Sequence, residues 1–334
     1  MSRPFPGRPR AAAALLVLAL AFAAGCGGRD DAATGDFRVA LLLPGPVSDD
    51  GWNASAHEGL LRIERELGAR VAVVESLDKS RFEENYRELA AQGWDLVFGH
   101  GYEFQDAALR VAPDFPATTF VVIAGNRSAD NVGSVHFRIE DASYVLGALA
   151  ARLSERPLAG MIGGEEIPSL KPGFTGFANG ARSVRPDFEV VEKYVGNWHD
   201  VALAREHAEA LIEQGARFLF QNADKAGLGV FQAAAAHEGV WAFGSNKDQS
   251  GVVPGAVLAS AVLDIPAAYL KLARDIRAGT YRPAAATMGM KEGVVSVVVS
   301  PDAASSLGPQ IASFLADLET RIAAGEIDVL AGAR

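Results

Sequence analysis

At 334 residues the chain is too long for one small core and fits two domains of ordinary size. Apolar residues make up 49% and charged residues 22%, which excludes a disordered chain. The formal charge of -10 argues against nucleic acid as a partner, because phosphate binding needs a basic face.

Residues 1–25 read as a leader. Arg3, Arg8 and Arg10 form a positive n-region, and residues 11–24 are an apolar run of signal-peptide length, too short to span a bilayer comfortably. The run ends in Ala23-Ala24-Gly25-Cys26, which resembles a lipobox although Ala23 stands where Leu is usual. Cys26 is the only cysteine, so it is expected to carry a lipid and the mature chain to fold without disulfides. Residues 26–36 are small and polar, as befits a tether. No later apolar stretch approaches about 18 residues, so the anchor would be the only membrane attachment.

From residue 37 strands and helices alternate. Residues 37–43 form a continuous apolar run, the pattern of a strand buried on both faces. Trp52, Ala56, Leu60, Ile63 and Leu67 recur at helical spacing. Strands are expected at 71–74, 96–98 and 119–123, with helices at 80–92 and 104–111 between them. After a strand at 135–137 the rhythm restarts. Helices at 142–153, 174–183, 201–213 and 227–237 alternate with strands at 158–162, 189–194, 218–220 and 240–243. Such alternation implies right-handed crossovers and parallel sheets, here two doubly wound α/β lobes. No Pro- or Ser-rich linker separates them, so the chain is expected to cross between lobes more than once. Residues 37–140 with about 247–282 are assigned to one lobe, and 141–246 with 283–334 to the other. Open α/β sheets bind ligands at the carboxyl ends of their strands, which places a site in the cleft between lobes.

Catalytic signatures are missing. The chain has no G-x-S-x-G, H-E-x-x-H or G-x-x-x-x-G-K-[ST]. Gly227-Leu228-Gly229 begins a dinucleotide fingerprint, but Gln232 occupies the third glycine position. The six histidines are scattered, and with one cysteine a structural zinc has no ligand set. Adjacent Glu165 and Glu166 read as solvated charge before they read as an acid/base pair. The reading is therefore of a binding protein, with no enzyme activity, cofactor or metal.

The stretches "SDDGWNASAHEG", "FGHGYEFQDA", "GGEEIP" followed by "GFTGFANGA", "YVGNWHD" and "NADKAGLGVF…FGSNKDQS" resemble the basic membrane protein, or PnrA-like, substrate-binding lipoproteins of ABC transporters. The resemblance runs from Val39 to about Glu326. It implies a type I periplasmic-binding-protein fold, two lobes joined by three crossovers, and a ligand closed between them. It also implies ABC permease and ATPase partners, a cell-envelope location, and ligands that are mostly purine nucleosides, with free bases or riboflavin in some relatives. A monomer is expected. An enzyme or a lipid-anchored sensor or adhesin of the same fold is the alternative.

By this resemblance Trp52 is expected to stack on the ligand's base and Asn53 to read its polar edge. Asp49 or Asp50 would accept from the ligand or cap the helix, and Gly51 permits the bend. A hydrophobic staple by Trp52 is the alternative. Phe220, or else Phe231, would form the second aromatic wall. His100, Tyr102 and Asp106 from the first lobe, and Glu165, Glu166, Trp198, Asn222, Asn246 and Asp248 from the second, complete the expected lining. The sequence departs from the family pattern in three places: Asn246 stands where an Asp usually grips the ribose, Leu263 where a Lys usually follows, and "NADKAG" replaces a glycine-rich turn.

Overall fold

The computed structural model describes residues 37–48 and 51–332; Cys26, the leader, the tether, Asp49 and Asp50 lie outside them. The apolar run opens as β1 (Arg38–Leu43), whose residues from Val39 onward are wholly buried. Helix α1 (Trp52–Leu67) follows; Gly68 ends it in the left-handed conformation, φ 62°, and its N–H closes on the Glu64 carbonyl. Then come β2 (Arg70–Glu75), α2 (Phe82–Ala91), β3 (Leu96–His100), α3 (Gln105–Val111), β4 (Thr119–Ile123) and β5 (Val132–Phe137). The expected helix at 80–92 begins later, because Asp78 caps a 3-10 turn, Lys79–Arg81, by accepting from the Ser80 N–H at 2.9 Å.

The second series is α4 (Ile139–Leu153), β6 (Leu158–Gly163), α5 (Lys171–Val184), β7 (Glu189–Tyr194), α6 (Val201–Glu213), β8 (Phe218–Asn222), α7 (Gly227–Ala236), β9 (Trp241–Asn246) and β10 (Val257–Leu263). The chain ends with α8 (Ile265–Arg277), β11 (Ala285–Met288), β12 (Val295–Val299) and α9 (Pro301–Ala323). Gly308, φ 74°, and Pro309 bend α9.

The strands form two six-stranded sheets, ordered β11-β5-β4-β3-β1-β2 and β12-β10-β9-β8-β6-β7. Every pairing is parallel except that of β10 with β12. The chain passes between sheets three times, after Phe137, after Leu263 and after Met288. This corrects the lobe boundaries read from the sequence. β10 was expected with the first lobe but lies in the second sheet, and β11 returns to the first. The reason is burial: "VLASAVL" is apolar on both faces and finds cover beside β9, with Ser260 opposite Gly244.

Hydrogen bonds stitch the three crossings together. Arg138 N–H donates to the Met288 carbonyl at 2.8 Å, Met290 N–H to Asp141 Oδ2 at 3.2 Å, and Asp264 N–H to the Val294 carbonyl at 2.7 Å. The Arg138 guanidinium lies 2.9 Å from Asp141. Behind them α4 and α5 pack backbone to backbone. A Cβ at Gly180 would overlap the Tyr144 carbonyl, one at Gly147 the Phe177 carbonyl, and one at Gly176 would sit 2.5 Å from the Glu140 carbonyl. The glycines of "GFTGFANGA" are there to permit this approach.

One apolar cluster runs through both lobes, including Leu41, Phe98 and Tyr269 as well as Phe177, Phe220 and Phe243. Two smaller clusters cover outer faces, one around Tyr86, Phe104 and Phe120, the other around Leu211, Leu219 and Phe231. Among the described residues no helix is long and apolar enough to cross a membrane.

Candidate functional site

Between the lobes lies a cavity of about 790 Å³, within the range of small-molecule sites. Its wall is built at the carboxyl ends of both sheets. Pro44 to Pro46 follow β1, Gly101 to Glu103 follow β3, and Ala124 follows β4. From the other lobe come Glu165 after β6, Asn222 ending β8, Asn246 ending β9 and Leu263 ending β10. Both sheets reverse strand order here, at β1/β3 and β6/β8, where open α/β sheets leave a crevice.

The backbone is strained at this wall. Among the described residues three non-glycines have positive φ: Ala124 at 61°, Asp224 at 47° and Asn246 at 69°. All three line the cavity. Asn and Asp tolerate the left-handed region, whereas Ala does so at a cost of about 1–3 kcal/mol. Such strain gathers at sites that must hold a particular shape.

Trp52 opens α1 and lines the cavity, half-buried, with its ring against His100. His100 itself is wholly buried behind it and is not part of the wall. Its Nε2–H donates to the Trp52 carbonyl, so Nδ1 accepts from the Tyr269 hydroxyl at 2.8 Å. Burial pushes the His100 pKa down to about 3, against the pull of the Trp52 carbonyl, and the ring is neutral. The expectation of His100 as a direct contact is corrected: it braces Trp52 from beneath. Asn53 is buried on the wall, with its amide against Gly45.

Tyr102, Glu165, Trp198, Asn222 and Asn246 also line the cavity. The Trp198 indole occupies the space a Gly164 side chain would need, which explains the second glycine of "GGEEIP". Asn222 and Asn246 are 3.5 Å apart, amide to amide. A buried network holds them: Gln221 donates to Gln249 Oε1 at 2.7 Å, which also accepts the Ser245 N–H at 2.9 Å.

Four expectations are corrected. Phe220 is wholly buried, 5.4 Å from Phe177 and 10° from parallel, because its position in β8 points it at α5. Asp106 is exposed and pairs with Arg127 at 2.8 Å. Glu166 is exposed and pairs with Lys171 at 2.6 Å. Asp248 is exposed and accepts from the Ser250 N–H at 3.0 Å. None of the four lines the cavity. Phe231 packs in the outer cluster.

Sequence reasoning missed Phe82, Phe137, Lys79, Glu103, His136, His199, Asp224 and Lys225, all on the wall. Glu103 follows the same strand as Tyr102, and that adjacency was the available signal. Burial pushes its carboxyl above the usual range; its own N–H and Lys79 oppose this, and Glu165 adds to it. Among the described residues no group of three or more His, Cys, Asp or Glu side chains could hold a metal ion.

Two doubly wound lobes, three crossings and a cavity at the strand ends define the type I periplasmic-binding-protein fold. Within that class the chain belongs to the Bmp family, ABC transporter substrate-binding protein PnrA-like, which matches residues 37–329. It is 28% identical over 302 residues to a purine-binding protein of Brucella abortus, covering 88% of this chain and 83% of that one. It is 30% identical over 257 residues to the ABC transporter nucleoside-binding protein BmpA of Lactococcus lactis, covering 72% and 73%. A solute-binding protein from Aeropyrum pernix shares the fold, with a TM-score of 0.78 at 22% identity over 87% of this chain and 92% of that one.

Proposed function

We propose that this protein captures a flat heterocycle of the purine class, base or nucleoside, between its lobes and delivers it to an ABC permease. The observation that carries the reading is the wall itself. Trp52 from one lobe and Trp198 from the other, with Tyr102 and Phe137, offer aromatic faces, while Asn53, Asn222 and Asn246 offer amides. Flat rings gain apolar burial and stacking from the first group, and buried amides orient polar edges. Trp198 takes the role the sequence suggested for Phe220. The names of the Brucella relative, a purine-binding protein, and the Lactococcus relative, a nucleoside-binding protein, support a ligand of this kind.

Binding would work by lobe closure around the three crossings, the ligand favouring the closed form that a permease recognises. Cys26 would tether the protein to the membrane through a lipid, and the molecule would act as a monomer. Calorimetric titration with hypoxanthine, guanine, inosine and guanosine, beside riboflavin and glucose, tests the ligand class. Purine binding that Trp52→Ala abolishes supports the reading; binding of riboflavin or glucose alone overturns it.

A further inference from the structure

Glu103 is held in place from three sides. Gly101, φ 155°, lets the chain turn after β3, and a Cβ there would sit 2.5 Å from Glu103 Oε2. Phe104 anchors the following turn in the core, stacked 4.1 Å from Phe82. The turn closes by Phe104 N–H donating to the Gly101 carbonyl at 3.2 Å. The backbone on either side of it is fixed by these anchors, and its side chain lies on the cavity wall.

Its carboxylate is under-used by the protein. Among the described residues no other residue donates a hydrogen bond to its carboxylate, and no cation stands within ion-pair distance of it. Lys79 acts on it only from further away. Glu165 reaches the same cavity from the other lobe. Closing the lobes brings two carboxylates toward one another, which is unfavourable unless donors come between them. The wall's cations, Lys79 and Lys225, make no ion pair with Glu103, so its two oxygens stay open to donors from a solute.

We infer that Glu103 selects purines carrying two adjacent N–H donors, an amino group beside a ring N–H as on the 2-amino-6-oxo edge of guanine, with Glu165 as a further acceptor on closure. This rests on the purine reading above. A carboxylate's two oxygens accept two parallel N–H bonds, and charge-assisted bonds of that kind are the strong ones. The adenine edge sets a ring acceptor beside its amino group, so the same carboxylate meets one donor and one lone pair. A buried acceptor facing a lone pair is penalised more than an absent bond.

The test measures dissociation constants of guanine, 1-methylguanine and adenine for the wild type, Glu103→Gln and Glu165→Gln. The wild type is expected to bind guanine at least tenfold tighter than adenine or 1-methylguanine. Glu103→Gln offers one acceptor and one donor, the complement of the adenine edge, so its guanine affinity should fall tenfold or more while adenine binding holds or improves. Glu165→Gln should weaken guanine less. An unchanged melting temperature of each ligand-free variant separates recognition from folding. Guanine binding indifferent to Glu103→Gln, or a wild-type preference for adenine, overturns the inference and leaves the purine reading standing. Failure of the wild type to bind any purine overturns both.

Discussion

The Trp52 indole and the His100 imidazole lie face to face, with ring centres 4.0 Å apart and planes 23° from parallel. Each ring N–H donates to the other residue's backbone carbonyl, at 3.4 Å from Trp52 and 3.0 Å from His100. One face of Trp52 is thus committed to the protein, and its rotamer is fixed before any ligand arrives. Preorganisation of this kind removes the cost of ordering a side chain on binding, about 0.5–1.5 kcal/mol.

Two substitutions separate platform from brace. Trp52→Ala removes the stacking surface and should weaken purine binding tenfold or more, since an aromatic pair contributes about 0.5–1.5 kcal/mol beyond its area. His100→Ala leaves the platform present but unsupported, and should weaken binding by a smaller factor while lowering the melting temperature. Calorimetry on both, beside thermal unfolding, distinguishes the roles. Equal losses of affinity with no change in stability would contradict a bracing role for His100.

The same histidine makes a prediction about pH. Its folded pKa, about 3, lies far below the ordinary value of 6.5. Between those values the unfolded chain takes up a proton that the folded chain does not, so stability falls as pH falls from 6.5 toward 3. The slope from this one group is about 1.4 kcal/mol per pH unit. Glu103, Asp141 and Glu319 have carboxyls raised by burial and contribute with the opposite sign over part of that range. The informative quantity is therefore the difference from His100→Phe, which cannot titrate. The wild type should lose more stability than the variant on acidification, measured by urea unfolding at pH 7 and pH 5.

Gly180 faces the Tyr144 carbonyl across the α4–α5 contact, with no room for a Cβ. In an open helix, replacing Gly by Ala gains about 1 kcal/mol. Here Gly180→Ala must push a helix backbone aside and should cost about 1–3 kcal/mol instead, as overpacking does. Urea unfolding of this variant against Gly196→Ala, whose glycine has φ 81° and no close neighbour, separates crowding from backbone strain.

Most of the fold was legible because its central strands are continuous apolar runs and its helices carry an apolar stripe, signals written in adjacent residues, whereas the edge strands β2 and β7 are charged and half-buried. The lobe boundaries were less so: nothing in "VLASAVL" distinguishes a strand of one sheet from a strand of the other, and only pairing with β9 decides it. At the site, residues at strand ends such as Asn222, Asn246 and Leu263 were readable, because doubly wound sheets put those positions at the crevice. Direction along a strand was harder. Phe220 lies two residues before Asn222 and points into the core. His100 and Asp106 sit in the right segment, but burial takes one and Arg127 the other. Glu103 went unread because its place on the wall depends on the bend at Gly101, which spacing alone does not reveal.

The choice between base and nucleoside turns on Asn246 and Leu263. Asn246 ends β9, and its register partner in β10 is Val262, so Leu263 stands one residue beyond it. Both line the cavity. An Asp and a Lys at these neighbouring positions could grip sugar hydroxyls with charge-assisted bonds, roughly twice as strong as neutral ones. Asn246 offers a neutral amide already 3.5 Å from Asn222, and Leu263 offers apolar surface. A free base or another flat heterocycle should therefore bind at least as tightly as its nucleoside. At about 100 times its dissociation constant either ligand stabilises the fold by roughly 2.7 kcal/mol, which a thermal-shift panel of adenine, guanine, hypoxanthine and xanthine against their nucleosides resolves. The double substitution Asn246→Asp with Leu263→Lys should move the preference toward the nucleoside. Asp tolerates the left-handed backbone that Asn246 adopts at φ 69°, so the exchange adds no strain there. Melting-temperature increases confined to nucleosides in the wild type would mean that other wall residues hold the sugar.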